Sequence, residues 1–351
     1  MKRCKGVPLN GCFVEFFVVF GCALWIGLCA LPASSAERPL LSLPIECNPG
    51  RNCWLVNLVD TDIGPGRRDF LCGRHTYDSH KGTDFAIRDL AAMEKGVAVL
   101  AAAPGTVKAR RDGMADKQPD EPLRRNRQIY CGNGVVITHK DGWETQYCHL
   151  RHGSVTVKAG EKVNQGQKLG LVGHSGMAEF PHVHLAVRHV RQVIDPFSGV
   201  SSSEGSKTGC GDYSKTLWNK SAQRALQGPM TSFFNAGFAA EKPKHRGIKQ
   251  GLYRAKALPR QSPALIFWVE AWWVRKGDIL SLNIIDSGGK ALVNHTSEIP
   301  KFQSRRMAYA GKAKRRLFWE LGEYTGIGEL SRIVNGKTHR FMISKKILIR
   351  D

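Results

Sequence analysis

The feature that most constrains this 351-residue chain is the spacing of four titratable side chains. His80 and Asp84 stand in His-Lys-Gly-Thr-Asp, and His182 and His184 in Pro-His-Val-His-Leu. On a helix, residues two apart lie about 200° around the axis and face away from each other; along a strand, i, i+2 and i+4 share a face. For these four side chains to act together, the segments must be strands. No histidine in the chain is followed by glutamate, so the helical His-Glu-x-x-His metal motif is absent.

The rest of the chain agrees with a mainly β reading. Residues 97–103, 106–110, 135–139, 144–149 and 183–190 are short β-branched or alternating runs punctuated by Gly, Pro and Asp. The charged stretch 112–128 between them reads as a surface insertion. Further on, 264–274, 279–285, 316–319 and 340–349 are again strand-like, with turns at Asp286-Ser287-Gly288-Gly289 and Asn335-Gly336. One helical segment is expected around 214–234, bridging two β-rich parts.

Charge separates those parts. Residues 37–212 hold 23 basic and 20 acidic side chains, whereas 213–351 hold 26 basic and 9 acidic. The shift coincides with the Ser/Gly-rich stretch 198–211, which places a domain boundary at 212/213. The second domain, 213–351, is expected to be a small basic β-sandwich. Its surplus charge suits an anionic envelope polymer or lipid surface.

Residues 1–36 read as an export signal. Lys2, Arg3 and Lys5 precede the apolar run 16–31, and Ala33-Ser34-Ser35-Ala36 supplies small residues for cleavage after Ala36. The run is shorter than the roughly 20 residues a spanning helix needs, and an uncleaved segment would instead anchor the protein. Either outcome makes the protein periplasmic or secreted, which disfavours nucleic acid as a partner. It also changes how the cysteines read: six remain after residue 36, an even number outside the cytosol. Cys47 and Cys53 flank a Pro-Gly turn, and Cys131 and Cys148 lie near the open ends of a hairpin turning at Lys140-Asp141-Gly142. Cys72 with Cys210 follows by elimination.

Two imidazoles and a carboxylate can hold tetrahedral Zn²⁺ at about 2.0 to 2.2 Å and leave a fourth position for water. Gln146-Tyr147-Cys148-His149-Leu150 supplies a further candidate histidine. Singly these pieces are common as satisfied loop or core residues; together they are not. In an exported chain, the order His-x-x-x-Asp, Tyr-x-His-Leu, Gly-x-Ser-Gly and Pro-His-x-His-Leu resembles the lysostaphin/LytM-type zinc endopeptidases. The resemblance covers about residues 70–197, with 134–139, 160–173 and 193–196 filling the spaces as in that family. The second domain lies outside it.

The resemblance implies an open antiparallel β-sheet metallopeptidase domain over 37–212, with one Zn²⁺ per chain held by His80, Asp84 and His184. It makes His149 and His182 the catalytic histidines and places His174 and Ser175 in a loop that lines the substrate groove. The implied reaction is hydrolysis of stem or cross-link peptides in bacterial peptidoglycan, with the D-Ala to diaminopimelate cross-link the preferred bond. Relatives that have lost ligands only bind wall or activate another hydrolase; here every matched position is occupied.

Overall fold

A computed structural model describes residues 37–204, 209–315 and 317–351. The export segment read over 1–36 lies outside them. Runs of buried apolar residues build a nine-stranded sheet whose path is Cys53–Leu55, Thr83–Ile87, His182–His189, Trp143–Leu150, Asn133–Thr138, Gly105–Arg111 and Lys162–Val163. Gln192–Asp195 and Val200–Ser201 branch from it, and every pairing in the sheet is antiparallel. Register matters more here than the number of strands. Asp84 stands opposite His184, and His184 opposite Cys148, the disulfide-bonded neighbour of His149, so three neighbouring strands bring these positions side by side.

One apolar core, which includes Phe85, Ile137, Tyr147, Leu150, Val183, Leu185 and Trp218, supports this sheet. The strand expected over 97–103 is only Ala98–Leu100, and it pairs with Lys168–Leu171 in a separate ribbon. The insertion 112–128 carries a short helix, Glu121–Arg125, whose N-cap Asp120 accepts the Leu123 amide.

Two more sheets follow. Ser232–Ala239, Ala264–Val274 and Gln303–Ala313 form one; Ala257–Pro259, Lys337–Arg350, Gly322–Val334, Ile279–Ile285 and Ala291–Glu298 form the other. They share a second core containing Phe238, Phe267, Leu282, Ile284, Leu330 and Ile347. Their closest approach is at Gly326, where a Cβ would stand 2.3 Å from the Phe267 ring, so only glycine lets the sheets meet there.

Two expectations are corrected in this half. The helix read over 214–234 is only Lys220–Ala225, because Gly228-Pro229 cannot continue it and Ser232 already opens a strand. Of the strand expected over 316–319, residue 316 lies outside the described residues, 317 and 318 form a bend, and none of 317–319 is in a strand. Trp319 turns inward, its amide on the Arg260 carbonyl and its indole N–H on the Ser262 carbonyl.

Disulfides join Cys47 to Cys53, Cys72 to Cys210 and Cys131 to Cys148. The halves are not beads on a string: the described residues from 37 onward fall in one compact unit. Trp54, Val56 and Ala86 of the first half pack with Phe234, Trp272 and Trp273 of the second in a third apolar cluster.

Candidate metal centre

The row set by strand register becomes a cluster. His80, Asp84 and His184 each offer a ligand atom, all within 4.8 Å of one another. Asp84 Oδ1 lies 3.2 Å from His80 Nε2 and 2.8 Å from His184 Nδ1, and those two nitrogens are 3.1 Å apart. His80 and Asp84 are buried and His184 is half-buried.

The surroundings aim these atoms. His80 Nδ1–H donates to the Leu58 carbonyl at 2.7 Å, which aims Nε2 at Asp84. Asn57 Nδ2 donates to Asp84 Oδ2 at 2.7 Å, which leaves Oδ1 for the cluster. Acceptors that converge in this way call for a cation between them, and two imidazole nitrogens with one carboxylate oxygen suit zinc. Burial opposes the charge on Asp84. Even so, His80 and His182 nearby, with hydrogen bonds from His184 and His80, hold its carboxyl well below the usual range.

Gly82, between His80 and Asp84, has a specific job. A Cβ there would lie 2.5 Å from His184 Nε2 and 2.6 Å from the Leu185 carbonyl oxygen. Gly82→Ala therefore has to push His184 off its position. We expect zinc affinity to fall by about 10- to 100-fold, as when groups supporting a ligand are disturbed, with the fold retained. Competition with a chelator of known affinity measures this, and unchanged affinity would mean that His184 is not a ligand.

His149 and His182 stand beside the cluster with ring centroids 4.5 Å apart. His149 Nδ1–H donates to the Ser175 carbonyl at 2.8 Å and His182 Nδ1–H to the Phe180 carbonyl at 2.8 Å, which leaves Nε2 of each ring as the open nitrogen. His182 Nε2 is 3.7 Å from Asp84 Oδ1. Burial, then the proximity of His182 and His184, pushes the His149 imidazolium well below its ordinary pKa, so His149 stays neutral. Its backbone has φ 64°, a left-handed conformation costly for a non-glycine residue. The Cys131–Cys148 bridge and the His149 amide on the Cys131 carbonyl hold it there.

Of the two groove residues expected from sequence, Ser175 is fully buried, its hydroxyl donating to the Leu150 carbonyl and accepting the Asn133 amide while its own carbonyl holds His149 Nδ1. His174 meets Gln118 at 3.3 Å and borders a depression beside Phe180.

Sequence reading missed the support from the second half. Trp273 sits at φ 55°, and pairing skips it: Trp272 faces Arg305 and Val274 faces Gln303. This left-handed backbone breaks the strand alternation, and the two consecutive indoles lie in one cluster. Trp273 Nε1 donates to the Val56 carbonyl, next to Asn57. Trp272 packs on Phe180, which packs on His182. The adjacent tryptophans were visible in the sequence; the left-handed backbone at Trp273 that puts both in one cluster was not.

Residues 78–196 match the family described as Peptidase family M23. The peptidoglycan DD-endopeptidase ShyA of Vibrio cholerae is 36% identical over 105 residues, 30% of this chain and 19% of that protein. The DD-carboxypeptidase/endopeptidase Mpg of Neisseria meningitidis serogroup B is 32% identical over 126 residues, 35% of this chain and 23% of that protein. This chain thus spans less than a quarter of either relative's length. Among solved structures, a zinc-containing peptidase from Vibrio cholerae aligns with TM-score 0.29 and 25% identity, over 46% of this chain and 38% of that one.

Proposed function

We propose, from the premise that residues 78–196 form a domain of peptidase family M23, that this protein is a zinc-dependent endopeptidase acting on peptidoglycan stem or cross-link peptides. The observation that carries the reading is the complete set: three converging ligand atoms, with two histidines that each present an open Nε2. His80, Asp84 and His184 would hold one zinc ion. Zinc, when bound, lowers the pKa of water toward about 7 and polarises a carbonyl.

The chain's own groups supply the proton traffic. His149 and His182 each present Nε2 to the site, so one can take the proton of the attacking water and pass it to the leaving amine, an effect worth about 10²- to 10⁴-fold. Once protonated at Nε2, a ring of this pair donates a hydrogen bond to the developing oxyanion, worth about 10²- to 10³-fold. The Ser175 and Phe180 carbonyls fix both tautomers and keep the rings from turning. For the scissile bond we propose the D-Ala to diaminopimelate cross-link, since the chain carries no recognisable module for glycine bridges. Removing the metal with a chelator should abolish lysis of purified peptidoglycan, and about one equivalent of zinc should restore it. Lysis that survives metal removal would refute the metal's role.

We further propose export through residues 1–36 and a functional division at 212/213, with the basic second half docking on anionic envelope polymer or lipid. Its 26 basic against 9 acidic residues support this. Binding to isolated envelopes should weaken steeply as the Debye length falls from about 10 Å at 0.1 M salt to about 3 Å at 1 M. Salt-insensitive binding would rule out electrostatic docking.

A further inference from the structure

Next to the catalytic histidines, the two halves enclose a depression lined by Gln118, His174, Glu179, Phe180, Lys249 and Arg305. It is rich in cations, and most of them are matched. Asp89, buried as the N-cap of the helix Leu90–Lys95, takes both Arg88 and Arg254. Glu270, fully buried, takes Arg305 through two nitrogens at 3.0 and 2.6 Å, and that guanidinium stands over the Phe234 and Trp272 rings, 5.3 and 5.6 Å from their centroids.

Lys249 is different. It is half-buried on the helix His245–Gln250, and its ammonium reaches the Glu179 backbone carbonyl at 3.4 Å. Among the described residues no ion pair joins it to an acid. Burial, then repulsion from Arg305, lowers its pKa, although Glu179 and Glu270 pull the other way. A partly desolvated ammonium without an ion-pair partner, beside an arginine already committed elsewhere, is placed to accept an anion. Phe180 ties the spot to the chemistry, because its carbonyl holds His182 Nδ1 and its ring packs on His182 at 4.7 Å.

We propose that Lys249 forms a carboxylate-binding subsite, with Arg305 behind it, that reads a free side-chain or terminal carboxylate on the substrate peptide next to the scissile bond. The inference rests on the endopeptidase reading and deepens it: the preferred substrates are acidic peptides, and a residue of the second half selects them. The second half would then be a wall of the groove as well as a docking surface.

The test compares the zinc-loaded full chain with Lys249→Gln and Lys249→Arg on two cross-linked peptides that differ only in whether that carboxylate is free or amidated. For the wild type we expect a lower KM on the free acid. Lys249→Gln should raise that KM about tenfold, leave kcat within about twofold, and erase the preference over the amide; Lys249→Arg should restore most of it. Equal effects on both peptides, or no change in KM, would overturn the subsite while leaving the endopeptidase intact. A wild type that cleaves neither peptide would instead sink the endopeptidase reading. In that case calorimetric binding of the same two peptides decides the subsite: tighter binding of the free acid, lost in Lys249→Gln, supports it, and equal binding overturns it.

Discussion

Replacing His184 by alanine is expected to remove both zinc and activity. His184 supplies one of three converging donors, and its Nδ1 lies 2.8 Å from Asp84 Oδ1 and 3.1 Å from His80 Nε2. Two remaining ligands would leave Asp84 buried with its second imidazole gone, an arrangement that binds metal weakly. The nucleophile depends on the ion, since water's pKa falls from about 15.7 to about 7 on a catalytic zinc, so turnover should drop by at least about 10³-fold. Elemental analysis after gel filtration, alongside peptide cleavage by the same sample, measures both. A His184→Ala protein that kept stoichiometric zinc would show that the ligand set is wrongly assigned.

The complementary experiment separates chemistry from metal. His149→Ala and His182→Ala should each retain zinc and lose about 10²- to 10⁴-fold in kcat, because each removes an open Nε2 beside the cluster and no ligand. Combining them should cost much less than the sum of the single losses in free energy, since groups that act as a unit are non-additive. Loss of zinc in His182→Ala would mean that the two histidines of Pro-His-Val-His-Leu have been given each other's roles. Full activity in His149→Ala would remove it from the mechanism.

Much of this site was legible because strand geometry has a period of two. The spacings of His80 with Asp84 and of His182 with His184 implied extended segments with shared faces, and the sheet register sets Asp84 opposite His184. What could not be read were the groups that aim these side chains from far away in sequence. Asn57 and Leu58 lie more than 20 residues from the ligands they hold, and nothing in their local pattern marks them. Ser175 is a further case: its motif suggested a groove contact, and its hydroxyl and carbonyl bond inside the protein, the carbonyl to His149.

The second half was harder to read for a different physical reason. Along Gly322–Val334 the buried positions alternate faithfully, but Gly326, Gly328 and Arg332 occupy three of them, so the apolar signal vanishes. Gly326 is there to admit Phe267, and Arg332 is buried against Asp278, Thr231 and the Trp273 carbonyl. Ser232–Ala239 is hidden in another way: it is covered on both faces, so its sequence shows no alternation. The strand Ala264–Val274, with its dense aromatics, was read with its true ends. The left-handed turn of Trp273 near its close, where Trp272 and Trp273 both pack against the first half, is backbone geometry that side-chain patterning does not encode.

The central claim is that His80, Asp84 and His184, with His149 and His182, make this chain a zinc endopeptidase of the cell wall. Digestion of purified peptidoglycan by the zinc-loaded protein, with mass analysis of the released fragments, tests it most directly. The account predicts new amine termini within cross-link peptides and intact glycan strands, with all products absent from the His182→Ala control. Intact peptides in a zinc-replete wild-type digest of every wall type, or fragments cut only in the glycan, would contradict it.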